Sequence, residues 1–155
     1  MNIDPNQLRV GLHNLNNRID EILGTAKRLI KDMFSEMSVY SPPLGLQKPN
    51  DYEILLTLFG NNISVRAEVP LSKDKFMGRI SCYLRDDSED KGTWNKLDTA
   101  LMFDSIGNVE NDHTGFEAAH ILVKTLVEEF KEKGITVKAP PIERGTMPTV
   151  EVRKS

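Results

Sequence analysis

His113, Glu117 and His120 stand close together in the sequence and are the residues of this chain whose types and spacing best suit metal chemistry. Glu117-x-x-His120 has the spacing of a di-iron carboxylate half-site, which puts both side chains on one face of a helix. A complete site of that kind needs a second such motif and two further glutamates. The chain has three histidines, and His13 has no glutamate at the required spacing. Thr114-Gly115-Phe116-Glu117 also matches a capping box, in which the glutamate reaches back to the start of its own helix. His120 borders an apolar stripe through Phe116 and Val123, where a hydrogen-bonded core histidine is the ordinary case. No bound metal or cofactor is expected, and a metal-dependent enzyme using His113, Glu117 and His120 stands as the alternative.

Two further patterns fail on inspection. Asp86, Ser88 and Asp90 are spaced like the first ligands of an EF-hand loop. Glycine does not follow Asp90 directly, however, and Leu97 occupies the twelfth position, where a bidentate glutamate is required. A solvated loop between strands explains the run better. Cys82, the single cysteine, would need a nearby base and a lowered pKa to act as a nucleophile, and its alternation with Ile80 and Leu84 instead points it into a core. The chain carries no GxxxxGK[ST], GxGxxG, GxSxG, HExxH or CxxC.

Composition narrows the class. At 155 residues, 39% hydrophobic and 28% charged, the chain has the make-up of one globular domain with a real core. Twenty basic against 23 acidic residues give a net charge of −3, so the electrostatic footprint of a nucleic-acid binder is absent. No segment approaches the ~18 apolar residues that cross a bilayer. The opening residues lack the basic and apolar regions of a signal peptide. One cysteine permits no internal disulfide. These features place the chain in a reducing cytoplasm, away from membranes.

The elements that must position any site begin with a heptad seam. Leu8, Leu12, Leu15, Ile19, Ile22, Ala26, Leu29 and Met33 recur in alternating steps of four and three, the a and d positions of roughly four heptads. Asp4 and Pro5 are a good helix cap and first residue, and the helix is expected to run to about Ser38. The flanking e positions are Arg9 and Asn16 early on, then Leu23, Ile30 and Met37. The stripe is therefore narrow at first and wide later, as if the first half met a partner helix and the second half lay on a globular body. The competing reading is that the whole seam is buried within the chain, with Gly24-Thr25 breaking the helix into a hairpin.

Residues 1–39 are thus read as a long amphipathic helix and 40–50, with Pro42, Pro43, Pro49 and Gly45, as a connector. Residues 51–134 form a sheet and a helix, and 135–155 a mostly flexible tail. Strands are expected over 52–59, 63–69, 76–85 and 97–103, with a hairpin turn at 104–108 that leads into a short fifth. The last helix, capped by Thr114 and closed by Gly134, should bury Phe116, Ala119, Val123, Leu126, Val127 and Phe130. On the sheet, Arg66, Arg79, Tyr83 and Arg85 face away from the core with Glu53 and Glu68 between them. Tyrosine and arginine are favoured at protein interfaces.

The fold class is α+β: a long N-terminal helix, a mostly antiparallel sheet of four to five strands, and a C-terminal helix packed on the sheet. The element order and acidic charge are loosely similar to small acidic bacterial chaperones and immunity-type proteins, an analogy of topology that carries no residues across. The function expected is a small non-catalytic protein-binding module of adaptor, chaperone-like or inhibitory kind. Its partner would be a second copy or another protein, held through Leu8, Leu12, Leu15 and Ile19, with Arg66, Arg79 and Tyr83 as a second surface. A nucleic-acid binder using the sheet face is the weaker alternative.

Overall fold

A computed structural model describes residues 3–73, 76–86, 92–110 and 114–138. Helix α1 (Pro5–Met37) is continuous for 33 residues, about 50 Å at 1.5 Å per residue. Asp4 accepts a hydrogen bond from the Asn6 N–H, and Pro5 supplies a preset φ at the first turn, so the start is where the sequence puts it. Gly24 and Thr25 do not break the helix. Thr25 instead donates its hydroxyl to the Ser105 carbonyl at 2.6 Å, tying α1 to the distant 104–108 turn.

A single 3₁₀ turn (Ser38–Tyr40) leads into five antiparallel strands: β1 (Gly45–Asn50), β2 (Glu53–Leu58), β3 (Asn61–Glu68), β4 (Gly78–Asp86) and β5 (Thr93–Phe103). They lie in the sheet in sequence order, a simple meander. Helix α2 (Gly115–Lys133) then returns across the sheet. The α+β class holds, with both helices packed on each other and on one face of the sheet. The core between the layers includes Ile22, Ile30, Met33 and Met37 from α1, Ile54, Leu56, Ile63, Val65, Ile80 and Phe103 from the sheet, and Leu122 and Leu126 from α2. No helix among the described residues is long and apolar enough to cross a membrane.

Four expectations change. The connector at 40–50 holds a whole strand, β1, at the sheet edge, the position where a proline such as Pro49 costs no ladder hydrogen bond. β5 begins at Thr93, four residues earlier than expected, with Trp94 paired to Arg85. Beyond the 104–108 turn the described residues form a bridge, Phe103 to Val109, and no further strand. On α2 the buried stripe is Gly115, Ala118, Ala119, Leu122, Leu126, Glu129 and Phe130, while Phe116 is exposed. Small residues decide this rotation. A Cβ at Gly115 would lie 3.1 Å from the Leu29 side chain, so the helices approach most closely where α2 presents glycine and alanine.

The expected tail begins with an ordered piece. The Ile135 N–H bonds the Phe130 carbonyl, the Thr136 carbonyl accepts from Asn61, and the Lys138 N–H bonds the Phe59 carbonyl at 2.9 Å. Residues 139–155 lie outside the described residues, as do His113 and 87–91.

Candidate functional site

The heptad seam of α1 divides into two parts. From Ile22 onward it is buried on the sheet and α2. Over its first two turns no described residue buries it, with Leu8 57% exposed and Leu12 60%, while Leu15 and Ile19 are half-buried. The arm meets the body again at Arg18, whose guanidinium sits 4.4 Å over the Phe76 ring. Leu15 and Arg18 also border a groove of about 310 Å³ with Leu71 and Phe76. The arm therefore projects from the domain with its apolar edge in solvent. Its flanks, Arg9, Gly11, Asn16 and Arg18, carry cations and small or polar groups, and no acid.

Both helices lie on the same side of the sheet, so neither covers the opposite face. Strand register gathers Arg66, Arg79 and Tyr83 there, as the alternation in sequence requires. Ser64 and Ser81 form its floor, both fully buried. Arg66 donates from Nε to the Ser64 hydroxyl at 2.8 Å and pairs with Glu53 at 3.7 Å, and Ser64 donates to Glu53 in turn. Arg79 donates to Ser81 at 2.9 Å and to Glu68 at 3.2 Å, and the Tyr83 hydroxyl donates to the same Glu68 carboxylate. Burial alone would raise the Glu68 pKa, but hydrogen bonds from Tyr83, Ser81 and Arg79 outweigh it and hold the carboxyl below its ordinary value. The bond to Glu68 raises the Tyr83 phenol. Arg66 also stacks at 4.5 Å from the Tyr83 ring centre and 5.5 Å from that of Trp94. Arg66 and Arg79 are thus each committed to a carboxylate, which leaves them poorly disposed to collect phosphates.

Glu117 and His120 are taken up by other partners. Glu117 closes the capping box, accepting from the Thr114 N–H at 3.0 Å while its own N–H donates to the Thr114 hydroxyl. His120 turns Nε2 to the Glu36 carboxylate at 2.9 Å and receives the Tyr40 hydroxyl at Nδ1. With a carboxylate at Nε2, that nitrogen carries the proton and Nδ1 is the acceptor. Glu36, Tyr40 and His120 therefore clasp the end of α1 to the first turns of α2. Among the described residues no group of three or more histidine, cysteine or acidic side chains is placed to hold a metal. Cys82 is fully buried, and burial pushes its thiol well above the ordinary range.

Sequence reasoning missed Glu129, the one buried acid on α2, 7% exposed. The β4–β5 ladder slips between Ser81 and Tyr83, so that Cys82 faces three residues of β5, Leu97 to Thr99. That bulge presents the Asp98 and Thr99 N–H groups to α2, where both donate to Glu129 at 2.8 Å. The Thr99 hydroxyl at 2.5 Å and Lys133 at 2.6 Å complete the shell. Burial works against the charge, yet the bonds from Lys133, Thr99 and the Asp98 N–H win and hold the carboxyl at about 2. Its four partners satisfy it, so this is a clasp between α2 and the sheet. The available signal was a glutamate three residues after Leu126 on an otherwise apolar stripe.

Comparison of the chain with protein families, with curated proteins and with solved structures finds no match.

Proposed function

We propose that this protein is a small, non-catalytic protein-binding module that self-associates through the free arm of α1. The observation that carries the reading is the split seam: one continuous row of a and d residues, buried from Ile22 onward, with Leu8 and Leu12 57% and 60% exposed. Leucine exposed singly is ordinary, whereas a row of it in coiled-coil register is matched by a second helix with the same register. The arm presents no acid on its flanks to repel a copy's Asp4, and its cations at Arg9 and Arg18 are a heptad or more apart. The polar sheet face, with Arg66, Arg79 and Tyr83, is a second surface for a protein partner in an adaptor or inhibitory role. A buried, unreactive cysteine is compatible with a cytoplasmic setting.

The metal-enzyme alternative gains no support from His120, whose two nitrogens already serve Glu36 and Tyr40. Native mass spectrometry of the purified protein tests both readings together. The proposal predicts a dimer at the mass of two polypeptides. A monomer with stoichiometric metal, lost in His120→Ala, would replace it.

A further inference from the structure

The proposed self-association leaves open how two arms meet, and the fold restricts the answer. A heptad row on a straight helix drifts by only ~20° per repeat. The seam of the free arm therefore faces the same side of α1 as the seam that the sheet covers from Ile22 onward. A second helix lying parallel on the arm would continue, past Ile22, into the volume of the sheet, and its own sheet would compete for the same space. A second helix running the opposite way stops short of the sheet, because α1 begins at Pro5, and beside Leu15 and Arg18 it meets only the rim formed by Leu71 and Phe76.

We infer that two copies pair their arms antiparallel, about a two-fold axis between His13 and Asn14. In this register Leu12 lies opposite Leu15 of the second copy, Leu8 opposite Ile19, and Pro5 opposite Ile22. Every seam residue of the arm finds an apolar layer, and each helix starts level with the Ile22 that the other copy's own body buries. The match is a property of this chain: the distance from Pro5 to the centre of the exposed row equals that from the centre to Ile22. The flanks agree. Arg9 falls near Asn16 of the second copy and Arg18 near Gly11, where a side chain would meet nothing within the protomer. Ile3, 67% exposed, reaches the rim of the other body.

This inference rests on the self-association proposed above, and disulfide trapping separates the two. Leu8→Cys and Ile19→Cys are made separately, with the buried Cys82 left in place, and oxidised alone and as a mixture. Wild-type protein is run alongside in sedimentation equilibrium. The antiparallel register predicts a covalent dimer in the mixture and none from L8C alone, since the two Leu8 positions are about 16 Å apart along the pair and a disulfide spans less than ~7 Å between Cα atoms. Cross-linking of L8C to itself would establish a parallel pair and overturn the register. A wild-type dimer without cross-linking in the mixture overturns it too, while self-association stands. A wild-type monomer with no cross-link in any sample refutes the self-association itself.

Discussion

Replacing Leu12 by lysine probes the free arm at its centre. In the protomer Leu12 is 60% exposed and lies outside the core cluster, and lysine is about as good a helix former as leucine. The cost to the monomer should then stay within ~0.5 kcal/mol. In the dimer the same side chain is covered. Full burial of a leucine contributes roughly 1.5–3 kcal/mol, so the exposed fraction has about 1–2 kcal/mol left to gain. Two-fold symmetry counts the loss twice, about 2–4 kcal/mol, or a dissociation constant raised roughly 30- to 700-fold at 1.4 kcal/mol per decade. Two lysines brought near the axis push the effect toward the upper end. Sedimentation equilibrium over a concentration series reads the constant, and thermal unfolding at the lowest concentration reads the protomer. An unchanged dissociation constant would refute the reasoning. So would a protomer that loses several degrees of melting temperature, because Leu12 would then be packed within its own chain.

Other perturbations test the body of the fold. Glu129→Gln keeps the shape but removes the charge that Lys133 and the β5 bulge are arranged to receive, and should cost about 1–3 kcal/mol in denaturant unfolding. The Glu129 carboxyl titrates near 4.5 when unfolded and at about 2 when folded. Its contribution is therefore present in full above about 4.5 and is lost as pH falls toward 2, and E129Q should flatten that part of the acid-unfolding curve. Gly78→Ala places a methyl 2.1 Å from the Phe103 ring, and should destabilise by about 1–3 kcal/mol in the same assay. Tyr40→Phe removes one bond of the Glu36–His120–Tyr40 clasp, with an expected loss of about 1 kcal/mol and faster amide exchange at the start of α2. Cys82 should resist an aromatic disulfide reagent in the native protein and react at once in denaturant.

What was legible in the sequence was whatever a periodic pattern or a cap encodes locally. The limits of α1 follow from Asp4, Pro5 and the long apolar row, and the limits of α2 from Thr114, Glu117 and Gly134, because the starts are fixed by side-chain to backbone bonds within a few residues and the end of α2 by the left-handed Gly134. The alternation over 63–69 and 80–85 correctly assigned Arg66, Arg79 and Tyr83 to one face. β1 was illegible because an edge strand needs few apolar residues and tolerates Pro49. It exists because Leu46 lies beside Leu56 in the ladder, a pairing across the β1–β2 hairpin and not within the strand itself. The rotation of α2 depended on Leu29 meeting Gly115, and Glu129 on a bulge in β5. Both are tertiary facts with no local signature. The site residues sort the same way: the arm is visible as a row, whereas the clasp of Glu36, Tyr40 and His120 joins residues about eighty positions apart.

Amide hydrogen exchange at a series of protein concentrations tests the central claim most directly, since it reads which residues the self-association covers. The account predicts that protection over residues 5–21 grows with concentration, while amides of the sheet and α2 exchange at constant rates. Exchange over 5–21 that stays fast and independent of concentration would mean that the arm remains bare, and would contradict it.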